Sequence, residues 1–240
     1  MGAALFWGAF SSAALFLGQA LARPMRESRK AIGLMMGFGA GTLLSAVAYE
    51  LIPASNLQRS PSIGVSFLVG ALAYYFGDRL IDRSGGADRQ TIGETSSGGS
   101  GAAMFLGALL DGIPEARILG LTLALGGTIS IAFLAAIFVS NIPQGLAGTT
   151  SLQAAGYTDG RITRMWAWLT VACGLASLLG YLLADQVTDA GTNAEAFAAG
   201  AVLTMLADSM MPEAFANGGR LVGLLTVIGF LVAGVLAVAQ

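Results

Sequence analysis

Residues 2–22, 31–49, 60–77, 165–184 and 221–240 contain no Asp, Glu, Lys or Arg, and a further uncharged stretch runs from Ile118 to Thr158. A helix needs about 18–20 apolar residues to cross the hydrocarbon core of a bilayer. The first five stretches are each near that length, and the last is long enough to finish one span and make another. A soluble domain carries roughly 25% charged residues; here 11% of 240 residues are charged, too few to cover a wet surface. Segment 193–213 is apolar except for Glu195, Asp208 and Glu213. In lipid each span must be helical, because unpaired backbone groups find no water there.

The runs predict an all-α integral membrane protein with eight transmembrane helices, at 3–22, 31–52, 62–80, 100–124, 128–150, 163–184, 193–213 and 220–239. Residues 2–22 lack the basic start and short apolar region of a signal peptide, so they are read as the first membrane helix. The chain is expected to be one transmembrane domain, 1–240. Its one polar, Gly- and Ser-rich stretch, 82–101, reads as a flexible cytoplasmic loop between helices three and four. Arg23, Arg26, Arg29, Lys30, Arg79, Arg83, Arg89, Arg161, Arg164 and Arg220 all fall in or beside odd-numbered loops, against Arg59 alone in the even ones. Basic residues mark cytoplasmic loops, so both termini are expected on the extracytoplasmic side.

Several function classes fall away. A net charge of −2 is not the basic footprint of a nucleic-acid binder. The single Cys173 allows no intramolecular disulfide. Without histidine the usual nucleophilic triad cannot be built, and no cofactor loop is visible, so the chain is not expected to be an enzyme. No prosthetic group is expected.

Two pairs of segments repeat. Gly41 to Pro53 on helix two and Gly200 to Pro212 on helix seven share Gly, a Ser or Thr at the fifth position, an acid near the end (Glu50; Asp208 and Glu213) and Pro twelve residues on. Helices four and five carry Asp111-Gly-Ile-Pro-Glu115-Ala and Ser140-Asn-Ile-Pro-Gln144-Gly. By the orientation above, the members of each pair run in opposite directions, and inverted repeats around Pro-interrupted helices point to a transporter with a midplane site.

An ionisable side chain at bilayer depth is costly and needs a reason. Asp111 and Glu115, four residues apart, share a helix face, and Ser140, Asn141 and Gln144 could complete an oxygen-rich pocket of the kind hard cations prefer. Asn, Gln and Ser also serve as interhelical hydrogen-bond glue. Arg117 points to another face, where it could pair with Asp208, Glu213 or Glu50, or reach the pocket and repel a divalent ion. Glu50, Asp208 and Glu213 fall toward helix ends as candidate mouth or secondary-site residues. Gly33, Gly37 and Gly41 make a smooth packing face, and such faces permit a homodimer.

The two Ile-Pro centres resemble the ZIP (zinc- and iron-regulated-transporter-like) family, whose fourth and fifth helices carry His-Asn-x-x-Glu-Gly and a related Asn-Ile-Pro-Glu-Gly-Leu-Ala. Eight spans, outside termini, a polar loop between helices three and four and the Met211-Pro-Glu-Ala segment are similar too. The resemblance implies transport of a divalent metal, zinc first, with iron, manganese and cadmium as alternatives. It implies ligands at Asp111, Glu115, Ser140, Asn141 and Gln144, with Ser177 at the place of a helix-six Glu carried by bacterial members. It also implies a cell membrane, the inner membrane of a prokaryote. The chain departs from the family pattern at Asp111, Gly112 and Gln144, so a single oxygen-only site is expected. Two alternatives stand beside this: a ZIP-fold transporter of a non-metal solute anchored by Arg117, and a non-transporting membrane protein that retains the fold.

Overall fold

The computed structural model describes residues 1–25, 28–51, 60–86, 101–126, 129–184 and 190–239. Among them are eight helices and no strand. They are α1 (Gly2–Met25), α2 (Arg29–Ala46, continued by a π-turn Val47–Leu51), α3 (Pro61–Ile81, continued by a π-turn Asp82–Gly86) and α4 (Gly101–Gly126). Then come α5 (Ile131–Ala154), α6 (Asp159–Leu183), α7 (Ala190–Met205, a π-turn Leu206–Met210, then Met211–Gly218) and α8 (Leu221–Val238). Six of these, all but α3 and α4, are long and apolar enough to cross a membrane; α4 carries Asp111, Glu115 and Arg117 in its middle. This is compatible with a membrane protein. Large apolar side chains of α1, α3, α6 and α8 face outward, Phe6, Leu68, Leu179 and Leu231 among them, as suits a hydrocarbon solvent.

Local chemistry sets the ends. Pro61 opens α3, where its missing N–H costs nothing, and the Ser60 hydroxyl accepts from the Ser62 N–H. Ser130 caps α5 by accepting from the Phe133 N–H at 3.1 Å. Gly219, at φ 66° and ψ −156°, takes a positive-φ conformation open mainly to glycine and so turns the chain from α7 into α8. The loop expected at 82–101 starts later than its composition indicates, because α3 continues to Gly86; residues 87–100 lie outside the described residues, as do Arg26, Pro53, Arg59, Arg89, Asp185 and Asp189.

Four parallel pairs organise the bundle, and glycines set their spacing. A Cβ on Gly41 would stand 2.0 Å from the Thr226 carbonyl oxygen, and one on Gly200 would stand 2.0 Å from that of Phe67. These are the contacts of α2 on α8 and of α7 on α3. In the other two pairs, α1 on α5 and α6 on α4, the same test at Gly18 meets the Ile142 carbonyl at 2.3 Å, and at Gly180 the Arg117 carbonyl at 2.2 Å. The π-turns of α2 and α7 begin at the same distance from Gly41 and Gly200. In α7 the cause is Pro212, which cannot donate back along the helix.

The pairs join into two groups. One small core, including Leu15, Ala116, Trp166 and Cys173, ties α1, α4, α5 and α6 together. The larger core, including Met36, Leu43, Tyr74 and Met205, lies among α2, α3, α7 and α8 and meets one face each of α4 and α5. Of the most apolar stretch of α2 and of α5, 67% is buried, against 28% for α8, so α2 and α5 form the centre and α8 the rim. Among the described residues, the basic side chains other than Arg117 fall at one end, where α1 and α3 finish and α2 and α6 start. Arg23 pairs with Asp159, bringing the end of α1 to the start of α6, and Gly33 packs on Gly218, bringing the start of α2 to the end of α7.

Candidate functional site

Asp111 and Gly112 on α4, Asn141 and Gln144 on α5, Leu15 on α1 and Trp166 on α6 line one small cavity of about 20 Å³. That volume holds a single water-sized or ion-sized occupant. Both helices run on through their prolines, Pro114 and Pro143. The i, i+3 spacing sets Asn141 and Gln144 on a shared face of α5. Gly112 leaves room for α6, since a Cβ there would sit 3.1 Å from Cys173 Sγ.

Each polar group has a defined setting. Asp111 is buried, and its Oδ1 accepts a 2.5 Å hydrogen bond from the Tyr74 hydroxyl on α3. The Asn141 side-chain amide donates to the Ser11 carbonyl on α1 at 3.2 Å, which leaves its oxygen as the acceptor. The Gln144 amide nitrogen is buried with no hydrogen-bond partner among the described residues. Glu115, one turn beyond Asp111, does not line the cavity; it is only 2% exposed, and its Oε1 also has no partner among the described residues. Buried polar atoms in this condition are uncommon and call for an explanation. The thiol of Cys173 lies beside the Ser12 hydroxyl and within electrostatic reach of Glu115. Among the described residues no group of three His, Cys, Asp or Glu side chains comes together, so a cation here would rely on the amide oxygens.

Not every expected residue arrives. Ser140 is fully buried away from the cavity, against Gly39 of α2, and its hydroxyl donates to the Ile137 carbonyl at 2.9 Å. Ser177 is buried where α6 meets Gly8 of α1 and Gly120 of α4, its hydroxyl without a partner among the described residues. Glu50 and Asp208 sit in the π-turns of α2 and α7, and the Glu213 carboxylate accepts from the Asn217 amide at 2.7 Å. Arg117 forms no ion pair with any of these three among the described residues. It lines instead a separate cavity of about 490 Å³ between α3, α4, α6 and α7, with Ser66 and Asn193.

Two partners escaped sequence reasoning. Tyr74 belongs to no motif; its only signal was a polar ring inside an apolar run. Trp166 donates its indole N–H to Thr149 at 3.1 Å, fixing the ring that closes one side of the cavity. No protein-family model matches the chain, and no curated protein matches its sequence.

Proposed function

We propose that this chain is an eight-span membrane transporter of a divalent metal cation, zinc first, with a ZIP-like fold and both termini on the extracytoplasmic side of a cell membrane. One observation carries the reading: Asp111, Asn141 and Gln144 converge from two Pro-containing helices on one ion-sized cavity. Beside them, Glu115 is buried with an oxygen that has no partner among the described residues. A buried carboxylate left without a donor is poorly placed for a purely structural role and well placed to meet a cation that comes and goes. The gathering of Arg23, Arg29, Lys30, Arg161 and Arg164 at one end supports a cytoplasmic face there.

In this reading Asp111 and the Asn141 and Gln144 oxygens are ligands, Tyr74 orients Asp111, and Glu115 supplies the second charge. The cation is the cargo. Alternating access comes from rocking of the α1, α4, α5, α6 group against the other four helices. The deciding experiment measures binding of zinc, manganese, cadmium and ferrous iron to the purified, folded protein in detergent, beside the Asp111→Ala/Glu115→Ala double variant. Binding that the double variant loses supports the proposal, and flux assays in liposomes follow. Absence of binding by the folded wild type overturns it.

The large cavity at Arg117 favours a second reading, transport of an organic anion anchored by that guanidinium. Uptake lost in Arg117→Ala, in a protein that binds no metal, would select it.

A further inference from the structure

Arg117 stands on the face of α4 turned away from Asp111, exposed, and without a hydrogen bond or ion pair among the described residues. An arginine at this depth of a membrane bundle is expensive unless a partner or a path to the headgroups is provided. Its cavity of about 490 Å³ falls in the range of small-molecule sites. The walls are apolar, with Ile113, Leu121 and Phe197 prominent, and the polar groups are Arg117, Ser66 and Asn193. The acids nearest in sequence, Asp111 and Glu115, are both buried on other faces of α4.

The cavity opens sideways. Ile113 on its floor is 39% exposed, and the helices on either side, α3 and α6, present outward Val65, Val69, Leu179 and Leu183. Those residues belong to the apolar belt, so an occupant enters from lipid. The cavity also occupies one end of the bundle, where α3 and α7 start and α4 and α6 finish. Arg117 lies nine residues before Gly126, about 14 Å of helix, and its apolar stem lets the guanidinium reach toward the headgroup level.

A comparison within the molecule separates a site from a packing gap. Beside Pro143 a second cavity of about 250 Å³ lies between α2, α5 and α8, and every residue lining it is apolar. A space that opens beside a proline needs no charge; only the one beside Pro114 has an arginine. We propose that the Arg117 cavity is a binding site for an anionic lipid of the surrounding bilayer, its acid group on the Arg117 guanidinium and Asn193 and its acyl chain along Ile113, Leu121 and Phe197. The site is independent of the cation cavity.

The test is native mass spectrometry of the whole protein released from vesicles of phosphatidylcholine and phosphatidylglycerol with identical acyl chains. The wild type is expected to retain phosphatidylglycerol at least tenfold over phosphatidylcholine. Arg117→Gln should bring the two to parity, Arg117→Lys should keep most of the preference, and Ala194→Trp, which fills the cavity but spares the charge, should lose retained lipid of both kinds. Melting temperatures in phosphatidylcholine alone check that each variant folds. Equal retention by the wild type, or an undiminished preference in folded Arg117→Gln, overturns the proposal. Displacement of the lipid by inorganic phosphate alone does so too, since the ligand would then be a free anion from water.

Discussion

The Tyr74 hydroxyl reaches Asp111 from α3, across the boundary between the two helix groups. A hydrogen bond to a carboxylate fixes which oxygen faces the cavity, and loss of such a supporting contact typically weakens metal binding ten- to a hundredfold. Tyr74→Phe, which keeps the ring, is therefore expected to weaken divalent-ion binding about tenfold, read by competition titration. Unchanged affinity would show that Asp111 is held by its own helix alone. Gln144 gives the opposite test. Its amide nitrogen, buried and without a partner among the described residues, is a group whose desolvation costs on the order of 1–3 kcal/mol. Gln144→Glu removes that donor and adds a third carboxylate around the cavity. The variant should melt lower than wild type in chelator and recover above it with zinc present, with at least tenfold tighter binding. A melt indifferent to zinc would remove Gln144 from the site. These residues differ in how legible they are from local spacing. Asp111, Asn141 and Gln144 stand at fixed offsets from two prolines and are legible. Tyr74 carries no motif, and its role depends on how α3 docks. Ser140, one residue from Asn141 and about 100° round the helix, turns to α2 instead, a rotation that local spacing does not decide. Ser177 was implied by resemblance alone.

At the scale of helices, the uncharged runs located most of the helices closely, six of which are long and apolar enough to cross a membrane, because hydrocarbon demands continuous apolar length and a charge marks where it stops. Which helix lies against which was not legible. That information sits in glycines, and 34 of them look alike in the sequence until their neighbours are known. Gly41 and Gly200 separate from the rest because a Cβ on either would collide with a carbonyl oxygen of the partner helix. Membrane helices associate through such close approach rather than through a hydrophobic driving force. Gly41→Ala and Gly200→Ala should each destabilise the fold by about 1–3 kcal/mol, the usual penalty for overpacking. Gly64→Ala, at a position with nothing within 4 Å of the added methyl, should be neutral or slightly stabilising. Denaturant unfolding in mixed micelles reads all three. Equal effects at the three positions would mean that helix propensity, not contact, governs these glycines. The π-turn of α7 is another feature of elements rather than residues: Pro212 was visible, but whether the helix kinked, broke or widened depended on its neighbours.

For the molecule as a whole, the arrangement that matters is the boundary between the two groups of four helices. The small cavity lined by Asp111, Asn141 and Gln144 lies within the first group, between α4 and α5, and Tyr74 reaches its Asp111 from the second. Two open spaces lie on the boundary itself, one beside Pro114 and one beside Pro143, each lined by helices of both groups. Rigid groups that rock need such spaces, since packed interiors do not compress, and a site carried by one group is exposed to alternate sides as the gaps close in turn. The all-apolar gap beside Pro143 provides the cleaner test, because it carries no charge whose loss would confuse the result. Leu225, on α8, lines it, and Leu225→Trp would fill much of its roughly 250 Å³. If closure of this gap is part of the transport cycle, the variant should bind zinc as the wild type does while its flux into liposomes falls at least tenfold. Binding and flux lost together would indicate a damaged fold. Both unchanged would mean that α2 and α8 do not close on α5 during transport, and that the motion must be sought within the α1, α4, α5, α6 group itself.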